Sequence, residues 1–328
     1  MSAEPRRTRS SVARERWARL WPVALTLVIF AVIFLRIPFH RFVEALSAAR
    51  LFPFLGLMAG FSLFYFTMDT LVLLKMIQWF HGPLGYRELL PVRASTYLVS
   101  IVNTQLAQGA LALYIHRRFL TPLGEIAGTV ALLILLEVTG LVLFATAGML
   151  TFPGAVPAGL FGVPVTLALL WFLLWLVARG SLGAAAAPLR ESAPFGTFRR
   201  ARARHCLTIL ALKAPIFLFS LFVHGVALTL FGIHIPPLRL LAFLPIVFLI
   251  GALPVTVAHL GTSQAAWIFF FRDHAPEADL LAYSLASHLT FMLANGTLGL
   301  FFLPKAYADL FVSRKQEDIG ARMRRSSI

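Results

Sequence analysis

The chain has 328 residues, 59% of them hydrophobic and 13% charged, with a mean hydropathy of +0.81. That composition excludes an ordinary soluble domain and describes a multi-span helical membrane protein. Lys and Arg number 29 against 14 Asp and Glu, a net charge of +15. The bases lie in the flanks and one connector, which reads as cytoplasmic retention and contact with anionic lipid, not as nucleic-acid binding. A single cysteine, Cys206, excludes an internal disulfide and a multi-cysteine metal site.

Six arginines, from Arg6 to Arg19, precede a first apolar run at 20–36. A basic start before a short apolar stretch resembles a secretory signal. Arg36-Ile37-Pro38-Phe39-His40 stands where small cleavage-site residues would be, so an uncleaved signal anchor is expected. Further apolar segments cover 51–75, 91–115, 125–150, 158–178, 208–232, 239–271 and 279–304. Eight plain transmembrane helices is the simplest count. It puts the connector 179–205 outside, with Arg179, Arg190, Arg199, Arg200, Arg202 and Arg204 against only Glu191, in violation of the positive-inside rule. If 91–115 and 239–271 instead enter and leave by the same face, the inside holds the N-terminus, the loops 75–93, 116–125 and 179–205 and the C-terminus, with 23 bases, and the outside holds 36–50, 151–157, 233–239 and 272–278, with 5. Lys213 alone is left over, near enough to a helix end to snorkel.

The expected fold is therefore an all-α polytopic membrane protein with six spans plus two re-entrant helical hairpins. Residues 1–19 form a basic cytoplasmic N-terminus, 20–305 one transmembrane domain with halves at about 20–150 and 158–305, and 306–328 a cytoplasmic tail. The plasma membrane is the expected location. Three crossings per half is odd, so the second half is inverted relative to the first. Two polar, helix-breaking stretches mark the hairpins, at 103–109 and 254–264. Asn103 precedes Glu137 by 34 residues, and Pro254 precedes His288 by 34. A break within lipid survives only where protein or a water-filled cavity shields its freed backbone groups, and matched breaks in two halves point to a transporter-type site.

The run Ala252-Leu253-Pro254-Val255-Thr256-Val257-Ala258-His259-Leu260-Gly261-Thr262-Ser263-Gln264-Ala265-Ala266 resembles the Leu-Pro-Ile-Ser…Gly-Leu-Gly…Glu-Ala stretch of the lysylphosphatidylglycerol synthase transmembrane (flippase-like) family. Asn103 and Leu135-Leu136-Glu137 sit where that family has an Asn-containing break and a Glu in the next helix. The resemblance spans about 50–305. His259 replaces the family's second Gly, Ser263-Gln264 its Arg-Glu pair, Ala107 a usual proline, and Val138 an Arg that often follows the Glu. The resemblance implies a membrane protein linked to lipid translocation. The soluble aminoacyl-transferring domain of the full-length synthases has no counterpart after residue 305, so aminoacyl transfer is not expected.

Candidate site residues follow from the breaks. Glu137 lies mid-span, where a charged carboxyl costs about 2.5–3.5 kcal/mol on insertion scales. It is expected to face the bundle interior, for proton coupling or a headgroup contact, unless a neighbouring helix simply bonds it. Asp69, with Lys75 nearby, reads as an acid near the cytoplasmic edge. Asn103, Gln105 and Gln108 supply amides that satisfy the first break or bind a headgroup. Gly261 to Gln264 open the second half-helix of the other hairpin. Thr262 or Ser263 is expected to cap it, and its free N–H groups favour a phosphate. His259, His288 and His224 are apolar-surrounded histidines without metal spacing, best read as hydrogen-bonded neutral rings. His288 repeats the position of Glu137, with Asn295 and Gly296 deeper in the same helix. Arg117 and Arg118 mark the inner surface and are candidates for a lipid phosphate. The chain carries no Walker loop, dinucleotide glycine pattern, nucleophile elbow or kinase set, and no cofactor or metal is expected. The expected partners are membrane lipids. Two alternatives stay open: a scaffold for a lipid-modifying or glycosyltransferase enzyme docked on 179–205, and a membrane-embedded lipid-active enzyme.

Overall fold

The structure, a computed structural model, describes residues 24, 26–102, 104–151, 158–252 and 260–307. Every regular element among them is helical. Helix α1 (Thr26–Arg36) meets α2 (Phe39–Ala48) at an 86° bend. Pro38 makes that bend: it has no N–H with which to extend α1, and its extended ψ of 131° starts α2 in a new direction. Five helices are long and apolar enough to cross a membrane: α3 (Leu51–Phe80), α6 (Leu123–Thr151), α7 (Gly162–Arg179, after a 3-10 turn at Ala158–Phe161), α10 (Ala203–Thr229) and α13 (Glu277–Tyr307). The bent α1–α2 pair makes a sixth if it is one span. The chain is a membrane-embedded, multi-pass helical protein.

Four shorter helices form two pairs, α4 (Tyr86–Val102) with α5 (Thr104–Phe119), and α11 (Pro237–Gly251) with α12 (Thr262–Phe271). The connector after α7 folds into α8 (Ala187–Glu191) and α9 (Phe195–Arg200). Helix α7 stops at Gly180, whose φ of +74° suits a glycine C-cap and lets its N–H reach the carbonyls of Leu176 and Val177.

Helices α3 and α10 run antiparallel through the centre. The Arg50 N–H bonds the Leu230 carbonyl at one end. Phe61 and Phe64 both meet Phe219 midway, and Trp79 stacks on His205 at the other end, 4.7 Å between centroids. Around this pair the two short-helix pairs pack reciprocally. The main partner of α4 is α13, and the main partner of α11 is α6. Both seams close on glycine. A Cβ on Gly299 would lie 2.7 Å from the Ala94 carbonyl oxygen, and one on Gly148 2.2 Å from the Ala242 Cα. Gly148 and Gly299 are 151 residues apart, the same step that separates Asn103 from Pro254 and Glu137 from His288.

The ends of the bundle are well defined. At one, Gly82 packs on Phe119, Glu88 pairs with Arg118 and Glu125 with Arg200, so α3, α4, α5, α6, α9 and α10 all present a terminus there. At the other, Phe231 meets Tyr283, and Phe243 meets Phe270 and Phe271. The start of α11, the end of α12 and the start of α13 gather at this second end. The largest core cluster, including Phe54, Met58, Val223, Trp267 and Tyr283, fills the centre and this second end. Helix α7 stands apart and leaves Val165, Leu169, Phe172 and Leu173 exposed, a surface suited to lipid chains.

Several boundaries differ from the sequence expectation. Helix α3 continues to Phe80 and α4 starts at Tyr86, so 75–93 is mostly helix and not a loop. Arg93, counted among the cytoplasmic bases, lies inside α4. The outer loop 36–50 is largely the helix α2, which packs on α13. The first break is narrower than 103–109, because α5 is helical from Thr104. The helix-forming Leu, Ala and Gln that follow outweigh the cost of about 1 kcal/mol for Gly109.

Candidate functional site

Asp69 of α3 is 5% exposed. The Arg93 guanidinium of α4 grips it, with Nη2 2.6 Å and Nε 2.7 Å from Oδ2. The Tyr97 hydroxyl donates to the same oxygen at 2.7 Å. Arg93 and Tyr97 are one helical turn apart, so α4 presents both to α3 from one face. The guanidinium also lies 4.8 Å from the Tyr97 ring centroid, a cation–π contact that strengthens in a desolvated site. Tyr65, one turn before Asp69, packs edge-on against Phe291 of α13. Asp69 is therefore a buried ion-pair partner, not the water-reached edge acid aided by Lys75 that its sequence position suggested. The α3–α4 contact brings Arg93 closer than any loop base.

A second pair joins α6 to α10. Glu137 Oε2 lies 3.5 Å from Lys213 Nζ, with the Glu137 side chain 47% exposed and the Lys213 side chain 12%. This corrects two expectations. Glu137 turns a substantial part of its side chain outward and does not face the bundle interior. Lys213 is held by a carboxylate in place of snorkelling. Both follow from the α6–α10 seam, which carries Lys213 to Glu137 and leaves the carboxylate on the outer flank. Lys213 acts electrostatically on Asp69, and Glu137 on Tyr65, so the two pairs form one network. Two acids and two bases from four helices sum to zero charge, the arrangement that makes intramembrane ionisation tolerable.

The second break has its own polar core. Gly261, with φ +93°, is the N-cap of α12. Its N–H donates to Gln264 Oε1 at 2.6 Å. Neither Thr262 nor Ser263 is the cap, which corrects that expectation: a left-handed cap favours glycine, and Gln264 at the third helical position reaches back to it. Gln264 is fully buried, and its Nε2 has no hydrogen-bond partner among the described residues. Thr262 and Ser263 are half-buried, and Ser263 lies beside Gly251. The buried His224 Nδ1 is hydrogen-bonded to the Tyr283 hydroxyl, with Phe61, Phe248 and Trp267 around it.

At the first break, a Cβ on Gly296 would lie 2.7 Å from Ile101 Cδ1, so α13 closes on the inner end of α4. Asn295 donates from Nδ2 to the Phe291 carbonyl, and its Oδ1 is unpartnered among the described residues. Gln108 and His288 are half-buried on α5 and α13. Asn103, Pro254 and His259, with the side chain of Gln105, lie outside the described residues. Arg117 is exposed. Arg118 is paired with Glu88 at 3.0 Å, which ties the outer ends of α4 and α5 together.

The connector is clasped to the bundle at the same end. His81 Nε2 and Thr129 Oγ1 are 2.9 Å apart, and Thr129 meets Thr197 of α9 at 3.0 Å. A Cβ on Gly128 would strike the Pro194 carbonyl oxygen. Burial, reinforced by the Arg200 charge, holds the His81 ring down at about 4, and its buried Nδ1 has no partner among the described residues. Two hollows open here. One of about 470 Å³ is lined by Gln78, Pro83, Leu84, Gly85 and Glu88, and one of about 350 Å³ by Glu125, Gly196, Arg199 and Arg200. Neither includes a residue of the charge network.

Arg93 and Lys213 are the site residues that sequence reasoning missed. Each had a signal. Arg93 stands within the apolar segment 91–115, and Lys213 well inside 208–232. No group of three His, Cys, Asp or Glu residues suited to a metal occurs among the described residues. Compared with known proteins, the chain matches no family model and no curated protein sequence.

Proposed function

We propose that this protein binds a phospholipid or polyprenyl-linked lipid by its headgroup and helps move it across the bilayer. The observation that carries this reading is the balanced network of Asp69, Arg93, Glu137 and Lys213, three of them on helices long and apolar enough to cross a membrane and Arg93 on the short α4 packed against α3. Ionisable groups at such depth mark substrate or ion pathways. Glu137, half-exposed, is the member a headgroup reaches first.

An inverted repeat with two re-entrant hairpins is the architecture we assign. Its supports are the antiparallel α3–α10 pair, the reciprocal α4–α13 and α11–α6 seams, and glycines at the same 151-residue step in both seams. In that arrangement α4–α5 enters from the connector side, α11–α12 from the opposite side, and the breaks approach the midplane, where such proteins hold their cargo. The positive-inside rule then sets the connector and both termini in the cytoplasm of a cell with this protein in its plasma membrane. The resemblance of 252–266 to the flippase-like family agrees with lipid as the cargo. A gradient or mass action drives the movement, and no chemical step is assigned to the protein. Thr262, Ser263 and Gln264 at the second break and Gln108 at the first are assigned to the two sides of the path, with His288 beside them; Asn103, Gln105 and His259 join them as candidates on their sequence positions alone.

The test is a headgroup-accessibility assay in proteoliposomes carrying a labelled phospholipid. Wild-type protein is expected to equilibrate the label faster than empty liposomes, and Glu137→Gln and Asn103→Ala to slow it. Equal rates for all three at the empty-liposome background overturn the reading.

A further inference from the structure

The two ion pairs are not equivalent as binding groups. Asp69 is saturated by two guanidinium contacts and a phenol. Glu137 and Lys213 are 3.5 Å apart, beyond the roughly 2.7–2.9 Å of a charge-assisted hydrogen bond. A lysine ammonium has three donors and a carboxylate about four acceptor positions, so this loose pair leaves most of that capacity unused.

Glu137 also faces outward, while Lys213 behind it is mostly buried. Ile134, one turn before Glu137, is 49% exposed, so this flank of α6 looks to lipid. On one side of Glu137, Trp171 of α7 donates its indole N–H to Thr139 at 2.9 Å. On the other, Gly140 is opposite Leu210, where even an added Cβ would make only an ordinary 3.7 Å contact. Pro215, two residues after Lys213, lacks an N–H and weakens α10 at the same level.

We infer that the Glu137–Lys213 pair is a receptor for a zwitterionic phospholipid headgroup carrying a phosphodiester and a primary ammonium. The inference rests on the lipid-binding reading above and names the substrate class for its site. The headgroup enters sideways from the bilayer between α6 and α10. Its phosphate accepts from Lys213, and its ammonium donates to Glu137. One loose internal pair is exchanged for two charge-assisted pairs. Net charge is zero before and after, so no ion is left uncompensated in a low-dielectric site. An anionic headgroup satisfies Lys213 but strands Glu137, and a polyprenyl diphosphate brings still more uncompensated charge. A choline headgroup balances the charge but has no N–H to donate.

The test uses the full chain in detergent with short-chain phosphatidylethanolamine, phosphatidylcholine and phosphatidylglycerol, with binding read from native mass spectrometry. Wild type is expected to bind the ethanolamine lipid about tenfold more tightly than the glycerol lipid, with the choline lipid between them. Glu137→Gln is expected to erase that preference. Lys213→Gln should weaken both ethanolamine and glycerol lipids. The swapped double variant Glu137→Lys with Lys213→Glu should restore the preference for ethanolamine, because it rebuilds the same two charges. Glycerol lipid bound as tightly as ethanolamine lipid by wild type overturns the inference, as does an unchanged preference in Glu137→Gln protein of wild-type melting temperature. Proteoliposome rates separate this from the transport reading. Equal, above-background movement of both lipids leaves transport standing and removes the receptor. Selective binding without movement leaves the receptor and removes transport.

Discussion

Asp69–Arg93 and Glu137–Lys213 have the same chemistry and opposite surroundings. The first is tight, buried and bonded by a phenol as well. The second is longer and has one partner half-exposed. The energy of an ion pair in a membrane depends less on the charges than on what remains if one is taken away. Asp69 without Arg93 is a carboxylate sealed among helices. Glu137 without Lys213 still has an open side. The tight pair holds α4 onto α3, and the loose pair is free to exchange partners.

The comparison breaks most sharply at Arg93. Arg93→Met is expected to destabilise the protein by about 3–5 kcal/mol, the usual cost of stranding a buried charge, and adding Asp69→Asn should recover most of the loss. Unfolding in a detergent or nanodisc titration measures both. An equal loss in the double variant would mean that packing, not charge, governs this contact. Gly148→Ala sharpens the contrast by disturbing a seam closed by backbone contact at Ala242. Its Cβ has no room beside Ala242, and a cost of about 1–3 kcal/mol in the same titration is expected for overpacking.

Removing the loose pair by Glu137→Gln with Lys213→Gln should cost no more than about 1 kcal/mol, because both charges leave together and neither is stranded. A larger loss would erase the distinction between the two pairs. His81 adds a pH test at the closed contact of α3 with α6 and α9. Its ring titrates near 6.5 when unfolded and at about 4 when folded. Below pH 6.5 the unfolded chain takes up a proton that the folded chain refuses, so stability falls as pH drops through that window toward 4. Melting temperature should decline between about pH 7 and pH 5, and less so in His81→Gln. The smallest effect is expected for Arg118→Gln. Its pair with Glu88 is half-exposed on both sides, and the change in unfolding energy should be under about 1 kcal/mol.

The sequence revealed the membrane class, the apolar segments and two breaks with a common step, because composition and helix-breaking residues act locally. It also singled out Asp69 and Glu137, since a carboxylate in an apolar run is visible by inspection. Their partners were not visible. Arg93 is 24 positions from Asp69, and Lys213 is 76 from Glu137. Both contacts exist only once α3 meets α4 and α6 meets α10. Charge counting worked against them, because it assigned Arg93 to a loop to satisfy topology and Lys213 to a helix end. The cap of α12 was missed for a smaller reason. Thr262 and Ser263 are good capping residues by type, but Gly261 takes a conformation they rarely adopt, and Gln264 completes the turn.

The glycines at 148 and 299 carry a mechanical consequence. At such a crossing the distance between the helix axes is set by the backbones themselves, and Leu98 and Ile101 drop into the groove that Gly299 and Gly296 leave. Each short-helix pair is therefore fastened at a point where a single methyl group is enough to force two backbones apart. The two fastenings lie in different seams, so one can be widened by substitution while the other is left intact.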